Sequence, residues 1–262
     1  MIVFPAIDLV AGKVVRLERG DRSRMKVYSE NPAAVARDFV EQGATWLHVV
    51  DLSAAFEEDE AAREANSKAI AALCQVEGIS IDVGGGVRSL ERIDELARLG
   101  AKRIAMGTVL VRDELFAQAA AAQFGELLVA DVAAKAGQVK VNGWREGVGA
   151  SADEVVGRLS SQGFKHLVFT DIARDGMQTG IDVEAYRHIA QVAGFPVVAS
   201  GGISSVADIA ALAQEHVEYL AVGVVVDEPA QVEDVLDGSG LCDDAVLDIV
   251  VEVFLFIGLV DD

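Results

Sequence analysis

Four aspartates stand at the ends of short apolar runs: Asp8 closes "IVFPAID", Asp51 closes "TWLHVVD", Asp131 closes "LLVAD" and Asp171 closes "HLVFTD". Carboxyl groups brought to one rim and given unequal surroundings can act as a pair, one protonated and one ionised, which is the equipment for moving protons to and from a substrate. A second motif accompanies them. The stretches "VGGGVRS" (83–89) and "ASGGISS" (199–205) are small glycine-rich turns of similar design, and each is followed about 20 residues later by a further glycine, Gly107 or Gly223. Such turns expose backbone N–H groups to an anion. Two of them suggest a ligand with two similar anionic ends.

The runs that carry these residues recur with helical stretches between them. Eight strands are expected, at 2–8, 45–51, 79–83, 103–106, 127–131, 166–171, 196–200 and 217–222. Amphipathic segments such as "NPAAVARDFVEQG" and "SLERIDELARLG" separate them, with Asn31 and Ser89 as N-caps, Pro32 at the first helical position, and Gly43 and Gly100 as stops. Alternating β and α units of this number predict an α/β fold, a (β/α)8 barrel. The barrel is also internally repeated. Laying 83–116 on 199–232 without a gap matches Gly85 to Gly201, Gly86 to Gly202, Ser89 to Ser205, Ile93 to Ile209, Leu96 to Leu212 and Gly107 to Gly223. Two duplicated half-barrels follow.

Barrel geometry turns the repeat into a site. The catalytic face lies at the C-terminal strand ends, where strands 3/4 and 7/8 face each other across the ring. Gly84, Gly85, Gly107 and Thr108 then hold one phosphate, and Gly201, Gly202 and Gly223 hold the other. Asp8 and Asp131 end strands 1 and 5, also opposite each other, and would face the middle of the ligand. For Asp51 and Asp171, helix capping and chemistry are equally good readings. Residues 11–26 carry six bases, Arg19 among them, against two acids, a local funnel for an anion. Trp144, in the loop after strand 5, could stack on a planar ring.

Composition limits the partners. The chain has 262 residues and a formal charge of −20, from 42 acids against 22 bases, which disfavours nucleic acid and anionic membrane surfaces. Cys74 and Cys242 form neither a CxxC pair nor a zinc pattern. The start "MIVFPAIDLV" reads as a buried strand and not a secretory signal, so a cytoplasmic protein is expected. A barrel domain is expected over 1–239 and a separate apolar and acidic tail over 240–262. Its run "IVVEVFLFIGLV" is too short and too interrupted by Glu252 to span a bilayer. A monomer is expected, with the tail as a route to self-association.

The motifs "PAIDLVAGKVVRL", "VVDLSAAF", "VGGGVRS", "ADVAAKAGQVKVNGW", "FTDIARDGMQTG" and "ASGGISS", in this order, resemble the ProFAR isomerases of histidine biosynthesis. The resemblance covers about residues 1–235. It implies an Amadori rearrangement of an aminoaldose to an aminoketose on a bisphosphorylated ribotide, without metal or cofactor. It implies Asp8 as proton acceptor and Asp131 as proton donor, assisted by Thr170 and Asp175. Substrate contacts are expected at Arg19, Gly84, Gly85, Arg88, Gly107, Thr108, Trp144, Gly176, Gly180, Gly201, Gly202, Gly223 and Val224. Two positions depart from the pattern. Asp82 stands where the isomerases mostly have glutamine, with its carboxylate expected near a phosphate, and Val224 leaves the second phosphate to backbone donors. The alternatives are the sister cyclase of imidazole glycerol phosphate synthase, a bifunctional histidine/tryptophan isomerase, and a non-catalytic phosphate-binding barrel.

Overall fold

Side chains alternate between the two faces of a strand, so an apolar strand in a barrel feeds two separate cores. Ile7, Leu9, Leu47, Val49, Ile81, Val83, Ile104, Leu167 and Phe169 pack outward against the helices. Phe4, Ala105, Val129, Val168 and Val198 form a second cluster with Ile2 and Trp46, the plug of the barrel interior. The computed structural model describes residues 2–18, 21–175, 177, 180–214 and 219–221. Cys242 and the expected tail lie outside the described residues.

The strands are β1 Ile2–Phe4, β2 Ala6–Val10, β3 Lys13–Glu18, β4 Asp21–Ser29, β5 Trp46–Asp51, β6 Ser80–Gly84, β7 Arg103–Met106, β8 Leu128–Lys135, β9 Gln138–Val141, β10 Glu146–Ser151, β11 Leu167–Asp171, β12 Val197–Ser200 and β13 Tyr219–Ala221. The helices are α1 Pro32–Glu41, α2 Leu52–Ala55, α3 Glu60–Leu73, α4 Leu90–Leu99, α5 Thr108–Arg112, α6 Glu114–Phe124, α7 Ala152–Ser161, α8 Val183–Ala193 and α9 Val206–Gln214. Sheet order runs β1-β13-β12-β11-β8-β7-β6-β5-β2, all parallel along this path. β1 and β2 are one strand interrupted at Pro5, which has no N–H to give to a ladder. Its first half pairs with β13, from Ile2↔Tyr219 to Phe4↔Ala221, and its second half with β5, from Ala6↔His48 to Leu9↔Asp51. The Pro5 carbonyl accepts from His48 N at 2.6 Å. The ring therefore closes as the eight-stranded (β/α)8 barrel the sequence predicts.

Helix ends follow their caps. Asn31 accepts from Ala34 N and Ser89 from Arg92 N, Pro32 opens α1, and Gly100 closes α4 in the left-handed region at φ +109°. α4 lays Ile93 and Leu96, both fully buried, onto the sheet. Each such side chain contributes roughly 2–3 kcal/mol of burial. Two antiparallel hairpins leave the C-terminal rim: β3–β4 after strand 1, and β9–β10, which extends β8 past Asp131 as far as Lys135. The second reads in the sequence only as a long loop. Among the described residues, no helix is long and apolar enough to cross a membrane.

Candidate active site at the barrel mouth

Strand alternation sorts the four rim aspartates into two kinds. Asp8 lies between Ile7 and Leu9, and Asp131 between Ala130 and Val132, all four packed on the helix side. Both carboxyls therefore point to the barrel axis, from β2 and β8 on opposite sides of the ring. Asp51 and Asp171 share the parity of Val49 and Phe169 and point outward into the layer beneath the helices.

The partners follow the parity. Asp51 is fully buried and fully engaged: Oδ1 accepts from Ala54 N at 3.0 Å and Asn66 Nδ2 at 2.7 Å, and Oδ2 pairs with Arg92 at 2.8 Å. Asn66 in turn donates to the Leu9 carbonyl and accepts from Gly12 N, tying strands 1 and 2 to α3. Asp171 caps its own loop at Ala173 N and pairs with Arg174. Capping and bracing contacts engage both of these carboxylates.

Asp8 and Asp131 make no hydrogen bond to another described side chain. Burial in the funnel raises Asp8 to about 6. His48 and Arg16 pull it down, and Asp175 pushes it up. Burial likewise raises Asp131, with His48 opposing and Asp82 adding to the rise. Asp131 as a residue stays exposed, and the rise of its carboxyl comes from the surrounding barrel wall. The two environments differ in a useful direction. Asp8 has two cations and one carboxylate nearby, whereas Asp131 has one cation and one carboxylate.

The glycine turns sit where the repeat places them, and the main chain explains why they are glycine. A Cβ on Gly85 (φ +93°) would stand 2.5 Å from the Asp51 carbonyl oxygen, and one on Gly201 (φ +90°) would stand 2.7 Å from that of Asp171. Each outward aspartate is thus the floor of the neighbouring turn, once per half-barrel. Gly202 abuts the Gly180 carbonyl, and Tyr186 Oη donates to the carbonyls of Ser200 and Gly201 from below. Gly107 leaves room for Asp131, whose Oδ2 is 3.6 Å from where a side chain would begin.

Of the remaining expected residues, Thr170 is buried, on the face of β11 that Val168 shares with the interior plug. Asp175 stands beside Gly201, and its carboxyl is raised by burial and by Asp171. Thr108 Oγ1 accepts from Asn142 N at 3.1 Å, tethering the β9–β10 hairpin whose tip holds Trp144, 44% exposed. Arg88 faces the α2 end, giving its donors to the carbonyls of Ala54 and Ala55 and pairing with Glu57. In the basic hairpin Lys13 pairs with Glu30, Arg22 with Glu58, Lys26 lies over the Tyr28 ring, and Arg16 lowers Asp8. Arg19, Gly176, Gly223 and Val224 lie outside the described residues.

Two interior residues carry no motif. His48 on β5 and Asp82 on β6 are register partners, with Nδ1 and Oδ2 3.1 Å apart. Asp82 thus faces the imidazole inside the barrel. The readable signal is parity: each is a polar residue at an axis-facing position of an apolar run.

The model of the histidine biosynthesis protein family matches residues 2–228. The chain belongs to this family. Among its relatives, an isomerase of Desulfitobacterium hafniense strain Y51 is 46% identical over 215 residues, covering 82% of this chain and 85% of its own. One of Moorella thermoacetica is 42% identical over 226 residues (85% and 91%), and one of Anaeromyxobacter sp. strain Fw109-5 is 40% identical over 223 residues (85% and 92%). All three are named as isomerases of an imidazole-4-carboxamide that carries one phosphoribosyl and one phosphoribosylamino group. In this histidine biosynthesis family member the matched span includes both glycine turns and all four rim aspartates.

Proposed function

We propose that the chain is a ProFAR isomerase, converting the bisphosphorylated aminoaldose ribotide to its ribulosyl form by an Amadori rearrangement. The observation that carries this is the pair of axis-facing carboxyls, Asp8 and Asp131, set across the mouth between two duplicated glycine turns. A phosphate at each end of the substrate suits the two turns, which hold it by main-chain N–H groups. Asp131 protonates the furanose ring oxygen, the ring opens, and the C1–N bond becomes an imine. Asp8 then takes the proton from C2 to give an enaminol, which loses its 2-hydroxyl proton and is protonated at C1, leaving the aminoketone. Atoms and electrons balance within one molecule, and no redox partner is needed.

The role assignment follows from the surroundings. A base must be ionised near neutrality, and Asp8, at about 6, is. An acid must keep its proton, which burial and the Asp82 charge favour at Asp131. Thr170 and Asp175 border the reacting carbons and assist. Phosphate anchoring aligns substrate and acid–base pair, an effect that in well-placed cases removes about 7–11 kcal/mol of barrier.

The reaction needs neither metal nor cofactor, and the protein works as a cytoplasmic monomer on a small molecule. The test is turnover of purified ProFAR beside phosphoribosylanthranilate. Conversion of the first alone is expected. Conversion of both would make the enzyme bifunctional, a requirement for ammonia or a glutaminase would point to the cyclase, and binding without turnover would refute the proposal.

A further inference from the structure

Between the apolar plug and the mouth, the barrel holds two polar side chains that phosphate anchoring and acid–base transfer do not use. They are His48 and Asp82, joined at 3.1 Å. The Asp82 side chain is 5% exposed, and its Oδ1 has no hydrogen-bond partner among the described residues. A half-satisfied buried carboxylate is costly, and a buried ion pair is often replaceable by apolar residues without loss of stability. Fold stability is therefore a poor reason for the pair.

Its geometry gives a better one. Asp82 accepts at Nδ1, so that nitrogen carries the proton and the ring's other edge is oriented by the bond. That edge lies against Gly84: a Cβ there would be 3.4 Å from Cε1 and 3.7 Å from Nε2. Gly84, at the first glycine turn, thus also leaves the imidazole uncovered.

Resting on the reading of the chain as an isomerase, we propose that Asp82 is a positioning residue: through Nδ1 it orients the His48 imidazolium, which holds the Asp8 base in its ionised form.

The surrounding charges agree. Burial alone would lower His48, but Asp82, Asp131 and Asp8 together raise it. Asp8 also faces Arg16 from β3 and Asp175 from the loop after β11. Towards the plug lie Arg103, whose guanidinium stacks on Trp46 at 4.6 Å, and His166, which is lowered by burial and by Arg103 while Glu126 and Asp82 raise it. With the imidazolium in place Asp8 stays ionised near neutrality; with a neutral imidazole its value climbs.

The test is a 15N NMR titration of the full chain without substrate, the His48 signals being identified by their loss in His48→Gln. In the wild type, His48 is expected to lose its proton above the ordinary histidine value, and Asp82→Asn to lower that midpoint by about one pH unit or more. In kinetics on ProFAR, Asp82→Asn moves the acidic limb of kcat/KM to higher pH and lowers kcat more than it changes KM. In a His48→Gln background the same substitution should add no further shift. A wild-type His48 that titrates at or below the ordinary value overturns the proposal, even if Asp82→Asn fails to fold. So does an Asp82→Asn effect that persists undiminished without His48. The NMR arm needs no turnover, so failure of the isomerase reading and failure of this inference are separable.

Discussion

Asp8 and Asp131 differ from Asp51 and Asp171 by a single step of the strand pleat. Asp51 and Asp171 are the last residues of β5 and β11, while Asp8 and Asp131 lie two and four residues before the ends of β2 and β8. The outward pair is spent on structure: Asp51 has a helix cap, an amide and a guanidinium for its oxygens, and Asp171 a cap and Arg174. The inward pair has no described hydrogen-bonding partner, and burial raises both carboxyls. Position at the catalytic face is therefore not enough to assign chemistry. What separates a catalytic carboxyl from a brace is whether its oxygens are already satisfied.

The largest test of that contrast is kinetic. Asp8→Asn or Asp131→Asn should cut turnover of ProFAR by about 10²- to 10⁴-fold, the usual worth of a positioned acid or base, with circular dichroism unchanged. Asp51→Ala should do the converse. It strands Arg92 and Asn66 in a buried layer, and urea unfolding should show a loss of roughly 3–5 kcal/mol.

Stability against pH sharpens the same contrast. Asp8 is raised from 3.8 to about 6, so between those values the native state holds a proton that the unfolded chain has released. Its charge therefore costs stability progressively as pH rises through that window, up to about 3 kcal/mol above it. Asp8→Asn should accordingly be more stable than wild type at pH 8, with the gain gone near pH 4. A variant that is inactive yet more stable is what a catalytic carboxyl predicts and a brace does not. Asp171→Ala, whose Arg174 partner is half-exposed, should cost only about 1–2 kcal/mol, while raising KM through the Gly201 turn it supports.

Much of this was readable in the chain. Eight apolar runs gave the strands at nearly their observed positions, because β-branched residues bounded by glycine and polar caps leave few other structures open. The gapless repeat correctly paired Gly85 with Gly201, and the structure adds the reason: each presses on the main chain of an aspartate ending the strand before it. The sorting of the aspartates was present too, as the parity of each with its neighbours, but it needs to be known which face looks to the axis. Asp82 stood out only as a departure from the family pattern, and its pairing with His48 escaped because both runs are apolar and the partnership crosses two strands. In the β9–β10 hairpin, β9 alternates over only four residues and β10 has glycines in place of alternating apolar residues, so neither carries a strong strand signature.

The central claim is that one elongated ligand is held at both tips while its midpoint lies between Asp8 and Asp131. A crystal structure of Asp8→Asn with ProFAR bound tests it most directly. The account predicts one phosphate on the N–H groups around Gly85 and Gly107, the other around Gly201, and the ribose carbons within hydrogen-bond reach of Asp131 and residue 8. Both phosphates in one half-barrel, or a sugar lying away from the two carboxyls, would contradict it.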